Sequence, residues 1–289
     1  MKAVIDIGSN SVRLAVFADG QIVLKRKCTT QLGRGLAASG LISDERKAAT
    51  INAIRDFVKI SVNLGVDKND IYAFATAAVR RAGNGREFMD ETYSASGVKV
   101  YLVGEDEEAL LAAEGALGGK DGCVLDIGGA SSELIVKKNG KIIYVHSLPL
   151  GAVVLTDSFA KDKAAAKAYV ASRVTEYGKV PIIDLLTGIG GTTSCCSRVV
   201  AKSQNEDEEL ADGKIVSLEK LKTLEDKFYT LTEKEMEKMG VERERTGIIA
   251  CGVTLLIGIM EYLGVSAYVS SENDNLLGFY NAKLAGERS

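Results

Sequence analysis

The chain has 289 residues, 46% apolar and 26% charged, enough for a large buried core and long for a single domain. Its 36 basic and 39 acidic residues leave a net charge of −3, so no basic field is available to hold nucleic acid or an anionic membrane by charge alone. Any anionic ligand must be attracted locally, by backbone N–H groups, a cation or a few arginines.

The N-terminus runs straight into a strand at KAVIDIG, without the basic, apolar and small-residue succession of a secretory leader. DIGSNSVRLAV (6–16) reads as a β run, a Gly/Ser/Asn turn and a second β run, and QIVLKRKCT (21–29) follows an ADG hairpin turn. SDERKAATINAIRDFVKISVNLG (43–65) is predicted helical, with Ser43 as N-cap and Ala49, Ile54, Phe57, Val58 and Val62 at near-helical spacing. DIYAFATAAV (70–79) is expected as a strand, NGREFMDETYSASG (84–97) as a helix and VKVYLV (98–103) as a strand. EDEEALLAAEGALG (105–118) is a helix with acids in its first turn, where the macrodipole favours them.

The opening is then repeated. DIGGASSELIV (126–136) stands 120 positions after its counterpart, counted from Asp6 to Asp126, and GKIIYVHSL (140–148) follows a KNG turn. DSFAKDKAAAKAYVASRVTEYG (157–178) is expected as one helix, PIIDLLTGIGG (181–191) as a strand ending in glycines and TTSCCSRVVAK (192–202) as a helix opening. SLEKLKTLEDKFYTL (217–231) and the apolar run TGIIACGVTLLIGIM (246–260) are helices, SAYVSS (266–271) a strand and NLLGFYNAKLAGER (275–288) a closing helix. The apolar run is shorter than the roughly 20 residues that span a bilayer, so a buried helix is expected. Strands alternating with helices in two similar halves predict a duplicated α/β fold.

Five cysteines (Cys28, Cys123, Cys195, Cys196, Cys251) show no metal-ligand spacing and no CxxC pair. Reduced, mostly buried thiols in a cytoplasmic protein are expected. His146, the only histidine, is expected to be structural, and Lys25, Arg26 and Lys27 a solvated strand end. The acidic run NEDEE (205–209) is expected as an exposed loop. Arg81 and Arg86, which flank Arg80, stay open between surface and phosphate contact.

An aspartate closing an apolar strand before Gly-Ser or Gly-Gly has a chemical use. The small residues let backbone N–H groups approach phosphate oxygens, and the carboxylate can hold a divalent cation that bridges the same phosphates. A single such loop is as readily a plain hairpin turn; its duplication favours the functional reading. A third glycine loop, TGIGGTTS (187–194), is expected at a strand-to-helix junction, where unpaired N–H groups face an anion. It lacks the lysine of GxxxxGK[ST], so it is not a P-loop.

In order along the chain, DIGSNSVRL (6–14), LGRGLAASGLIS (32–43), ATAAVRRAGN (75–84), EEALLAAEGAL (107–117), LDIGGASSEL (125–134), SLPLGAV (147–153) and GIGGTT (188–193) resemble the Ppx/GppA group of exopolyphosphatases and guanosine pentaphosphate phosphohydrolases, within the actin/sugar-kinase/Hsp70 superfamily. The resemblance implies two ribonuclease-H-like α/β domains of the actin-like ATPase type, spanning 1–118 plus 277–289 and 119–276, with a cleft between them. It implies a first phosphate loop of Asp6, Gly8, Ser9, Asn10 and Ser11. The second would be Asp126, Gly128, Gly129, Ser131, Ser132 and Glu133, and the third Gly190, Gly191 and Thr192. Arg80 matches a phosphate-contacting arginine and Glu108 the catalytic glutamate. Glu107 is the alternative base, because the glycine-to-EEA spacing is one residue longer than usual.

Independently of the resemblance, phosphoanhydride hydrolysis needs a water placed in line with a terminal phosphorus, a carboxylate to orient it, and positive charge on the equatorial oxygens. The expected cofactor is Mg2+ on Asp6 and Asp126, with another divalent or a monovalent cation as a further candidate. The expected substrates are inorganic polyphosphate or guanosine pentaphosphate and tetraphosphate, with no DNA or membrane partner and a homodimer implied only by relatives. Ala130, Val154, Thr246 and Gly247 depart from the family pattern, which implies retained phosphate binding with an altered substrate or weakened turnover. Two alternatives stay open: a non-catalytic sensor of polyphosphate or (p)ppGpp, and an ATP-dependent phosphotransferase of the same superfamily.

Overall fold

The computed structural model describes residues 1–285 except 161, 182–184, 205–211 and 274; the NEDEE run lies outside the described residues. The chain divides into two compact units, Met1–Leu111 with Asn275–Ser289, and Ala112–Asp274.

In the first unit, β1 (Lys2–Ile7), β2 (Ser11–Ala18) and β3 (Gln21–Thr29) form an antiparallel meander. There follow α1 (Leu36–Ser39), α2 (Asp44–Asn63), β4 (Ile71–Ala75), α3 (Ala77–Arg81), α4 (Gly85–Ser96), β5 (Val100–Leu102) and α5 (Glu105–Leu117), whose last turns belong to the second unit. The sheet order is β3-β2-β1-β4-β5, with β4 parallel to both β1 and β5. Strand alternation splits the core. Ile5, Ile7, Leu14 and Val16 pack with Ile54, Phe57 and Phe88 on one face, while Val4, Ala15, Phe17 and Phe74 pack with Leu111 and the closing segment on the other. That segment is α12 (Asn275–Phe279), continued by a π turn over Tyr280–Leu284. Phe279 stacks on Phe74 and Tyr280 on Phe17, with centroids 4.9 and 4.1 Å apart.

The strand expected over 70–79 ends at Ala75. Thr76 N–H reaches the Ile7 carbonyl at 3.3 Å, where β1 itself stops, and Arg80 N–H then turns back to the Thr76 carbonyl. With no ladder left to join, the Ala77-Ala78 pair follows its helix propensity.

The second unit repeats the plan with β6 (Gly122–Ile127), β7 (Ser132–Lys138), β8 (Lys141–Leu148), α6 (Ala152–Phe159), α7 (Lys163–Arg173), β9 (Leu186–Ile189) and α8 (Gly191–Ser203). Then come β10 (Ile215–Ser217), α9 (Leu218–Thr230), α10 (Glu233–Lys238), α11 (Ile249–Leu263) and β11 (Ala267–Ser270). Read as β8-β7-β6-β9-β11, the sheet has the order of the first, with β10 added antiparallel at one edge. The repeat extends to detail. The hairpin turns place Asp19 and Asn139 at φ 51° and 53°, each followed by a positive-φ glycine. The bulges fall at Val16/Phe17 and Val136/Lys137, again 120 positions apart.

The single helix expected over 157–178 is interrupted. Ala160 leaves helical geometry (φ 5°), and Asp162 restarts the chain as an N-cap that accepts from Ala165 N–H at 2.9 Å. α11 starts three residues into the apolar run and is buried on nearly every side by α6, α7, α8 and α9, which explains its lack of a polar face. β10 and α10 are additions to the sequence reading. α10 had a visible signal, the capping box of Thr232 and Glu235.

Candidate active site

Two hairpin tips carry the repeated aspartates. In the first, Gly8 N–H bonds the Ser11 carbonyl at 3.1 Å; in the second, Gly128 N–H bonds the Ser131 carbonyl at 3.0 Å. The carbonyls of each tip are taken by the chain that follows the third strand of its meander. Gly33 N–H donates to Ser9, and Thr30 and Gln31 N–H to Asn10. In the second unit Ala152 N–H donates to Gly128, and Val153 and Val154 N–H to Gly129. Gly151 approaches so closely that a Cβ there would stand 2.5 Å from the Gly129 carbonyl group. With the carbonyls occupied, the amides of Ser9, Asn10, Gly129 and Ala130 make no hydrogen bond among the described residues and form a nest of donors at each tip. Gly33 and Gly151 were not among the expected site residues, although both lie in LG motifs 118 positions apart.

Asp6 is 6% exposed and Asp126 half-buried. Register carries each across its sheet: Asp6 faces Arg13, which faces Lys27, whereas Asp126 faces Glu133, which faces Ser147. The equivalent rows therefore carry opposite charge. Ser147 hydroxyl donates to Glu133 at 2.7 Å. Ser132 points the other way; its hydroxyl is fully buried against the Tyr177 hydroxyl at 2.9 Å, so it is not offered to a ligand.

The third loop joins β9 to α8 through Gly190, whose φ of 85° and ψ of 174° suit glycine alone. Asp126 fills the space beside it. Thr192 is 2% exposed and packs on Gly252 of α11, so loop 3 offers backbone rather than its threonine hydroxyl. Arg245 lies flat over Gly191, where a Cβ would collide with its guanidinium at 1.8 Å. This arginine was not anticipated; its only sequence signal is the ERER run at 242–245.

In the first unit, Arg80 of α3 donates through Nη1 to Glu108 Oε2 at 3.0 Å and to the Val103 carbonyl at 2.8 Å. Both side chains are partly exposed. Glu107 turns aside to pair with Lys283 at 2.7 Å. The structure thus brings Glu108, and not Glu107, to Arg80.

Among the described residues no three His, Cys, Asp or Glu side chains converge. Each hairpin carries one carboxylate at the end of its first strand, Asp6 in the first unit and Asp126 in the second, an oxygen donor of the kind that hard divalent cations take together with water. A lone carboxylate of this kind suits a hard, largely hydrated cation better than a soft transition metal, which takes thiolate or imidazole ligands. Burial pushes the Cys195 thiol up to about 11, against the pull of Arg198 and Arg245, and Cys196 well above its ordinary value. Neither is a thiolate at neutral pH, so the CC pair beside loop 3 offers no nucleophile. His146 packs between the rings of Tyr144 and Tyr177. No helix among the described residues is long and apolar enough to cross a membrane.

Comparison with known proteins gives one direction. A family model described as the Ppx/GppA phosphatase family matches residues 10–273. The chain is 25% identical over 308 residues to a bifunctional 3-dehydroquinate synthase/phosphatase of Fusobacterium nucleatum, covering 96% of this chain and 46% of that one. It is 27% identical over 283 residues to the guanosine-5'-triphosphate,3'-diphosphate pyrophosphatase of Vibrio campbellii, covering 92% and 55%. The chain spans about half the length of the curated relatives it matches. Among solved structures, the type II variant of the Aquifex aeolicus Ppx/GppA phosphatase superposes with a TM-score of 0.82 at 27% identity, over 98% of both chains. An exopolyphosphatase from Cytophaga hutchinsonii superposes at 0.83 with 20% identity, over 99% and 98%.

Proposed function

The chain belongs to the Ppx/GppA phosphatase family, and we propose that it hydrolyses terminal phosphoanhydride bonds of inorganic polyphosphate or guanosine pentaphosphate, releasing orthophosphate. The observation that carries this reading is the contact of Arg80 with Glu108, a cation and a carboxylate held together in the unit that also bears the first donor nest.

Each unit has its own donors for phosphoryl oxygens, the tip amides and Arg80 in the first and the tip and loop 3 amides in the second, and Arg80 stabilises the charge on a transferring group. Glu108 uses Oε2 for Arg80, leaving Oε1 to accept a proton from water. The water oxygen bonds to the terminal phosphorus and the bond from that phosphorus to the bridging oxygen breaks. The electron pair stays on the shortened chain, and the water proton passes to Glu108. Asp6 in the first unit and Asp126 in the second are the carboxylates that would hold Mg2+, which would neutralise phosphate charge. The buried thiols Cys123, Cys195, Cys196 and Cys251 support placement in a reducing, cytoplasmic compartment.

The test is phosphate release with Mg2+ from polyphosphates of graded length, guanosine pentaphosphate and ATP. Glu108→Gln should lower release by about a hundredfold or more, the range of a general base, with unchanged melting. Binding without release would point to a sensor, and ADP formation dependent on an acceptor to a phosphotransferase.

A further inference from the structure

Gly191, Cys195 and Arg198 stand at i, i+4 and i+7 of α8 and share one stripe of that helix. Residues 242–245 lie over the stripe. Arg198 Nη2 donates to Glu242 Oε1 at 2.9 Å, Glu242 Oε2 accepts from Arg245 Nε at 2.7 Å, and the Arg245 guanidinium covers Gly191. Arg198 also reaches Glu272 through Nη1 at 3.4 Å. One carboxylate therefore bridges two guanidiniums. Its backbone is fixed as well, with Arg245 N–H on the Glu242 carbonyl at 2.8 Å and Glu242 N–H on the Cys195 sulfur.

A guanidinium over the first turn of α8 adds a full positive charge to a helix end that is already partly positive. Glu242 offsets this from the Nε side only. The two terminal nitrogens of Arg245 lie over Gly191 and make no hydrogen bond among the described residues. That end-on fork matches two oxygens of one phosphate. We propose that Glu242, braced by Arg198, is a positioning residue: it sets Arg245 across Gly191 so that its fork meets a phosphate at the start of α8. The proposal rests on the phosphate-binding reading above and adds which acid aims the arginine.

The test is a double-mutant cycle on the full chain, read by calorimetric binding of inorganic tripolyphosphate with Mg2+. Glu242→Ala and Arg245→Ala should each weaken binding about tenfold, the size of one charge-assisted hydrogen bond. The double variant should bind no more weakly than Arg245→Ala, and Glu242→Asp should recover most of the loss. Losses that add, or wild-type affinity in either single variant, overturn the proposal. If Glu242→Ala does not fold, Glu242→Gln, which has the same shape without the charge, replaces it in the cycle with the same expectations. Wild-type protein that binds no tripolyphosphate overturns the phosphate reading and this proposal with it; binding with an additive cycle overturns this proposal alone.

Discussion

Asp126 and Gly190 occupy one space: a Cβ built on Gly190 would stand 2.4 Å from Asp126 Oδ1. The second aspartate is therefore placed by its own strand and by the missing side chain of the third loop. Gly190→Ala should displace the carboxylate and cost about 1–3 kcal/mol for a backbone region open to glycine alone. Mg2+-dependent tripolyphosphate binding and thermal melting, measured together, should both fall.

Glu107 and Glu108 are adjacent in sequence but have separate partners, Lys283 and Arg80. Glu107→Gln should leave phosphate release within about twofold of wild type and melting nearly unchanged, since a half-exposed ion pair contributes about 0–1 kcal/mol. Release that collapses in Glu107→Gln and survives in Glu108→Gln would move the base to Glu107.

Ser132 and Tyr177 share a buried hydroxyl pair at 2.9 Å. Ser132→Ala should lower unfolding stability by about 1–3 kcal/mol, because the tyrosine loses a buried partner. Affinity for tripolyphosphate should stay within twofold. A large loss of affinity would show that this hydroxyl does serve the ligand.

α12 meets α5 where Gly278 faces the Leu111 carbonyl, and a Cβ there would lie 1.8 Å from that oxygen. Gly278→Ala should destabilise the chain by about 1–3 kcal/mol through overpacking, seen as a lower denaturant midpoint. Wild-type stability would mean that the segment from Asn275 is free to shift.

Asp121 accepts from Asn139 and Gly140 N–H at 2.6 and 3.1 Å, and these bonds hold its carboxyl below the ordinary value of 3.8. The bound form is the ionised one, so its stabilisation is fully present above about pH 3.8 and fades as pH falls through the lower folded value. Melting of Asp121→Ala should lie below that of wild type at neutral pH. The two should converge in acid, below that folded value, and a gap that stays constant with pH would rule out the carboxylate as its source.

The division between what was legible and what was not follows the range of the interactions. Hairpins, turn glycines, the 120-residue repeat and the strand-to-helix loop depend on neighbouring residues, so backbone preference and hydrophobic period expose them in the sequence. Ends and breaks were harder. The strand after Asp70 stops where its partner β1 stops, and the helix expected from 157 breaks at Ala160; neither event leaves a periodic trace.

Local pattern marked the three loops, because a short polar turn between apolar strands is visible in the sequence, and the family resemblance named their residues. Local pattern could not say which side chains face a ligand. Arg80 meets Glu108 across 28 positions, Arg245 covers Gly191 across 54, and Ser132 turns inward to Tyr177 across 45. Each outcome depends on how helices and strands pack, and a one-residue change of helical phase or of strand register reverses it. Composition and local pattern determined that this chain builds two like sheets with donor-rich tips. Only packing between distant segments decided which glutamate meets an arginine and which hydroxyl is buried.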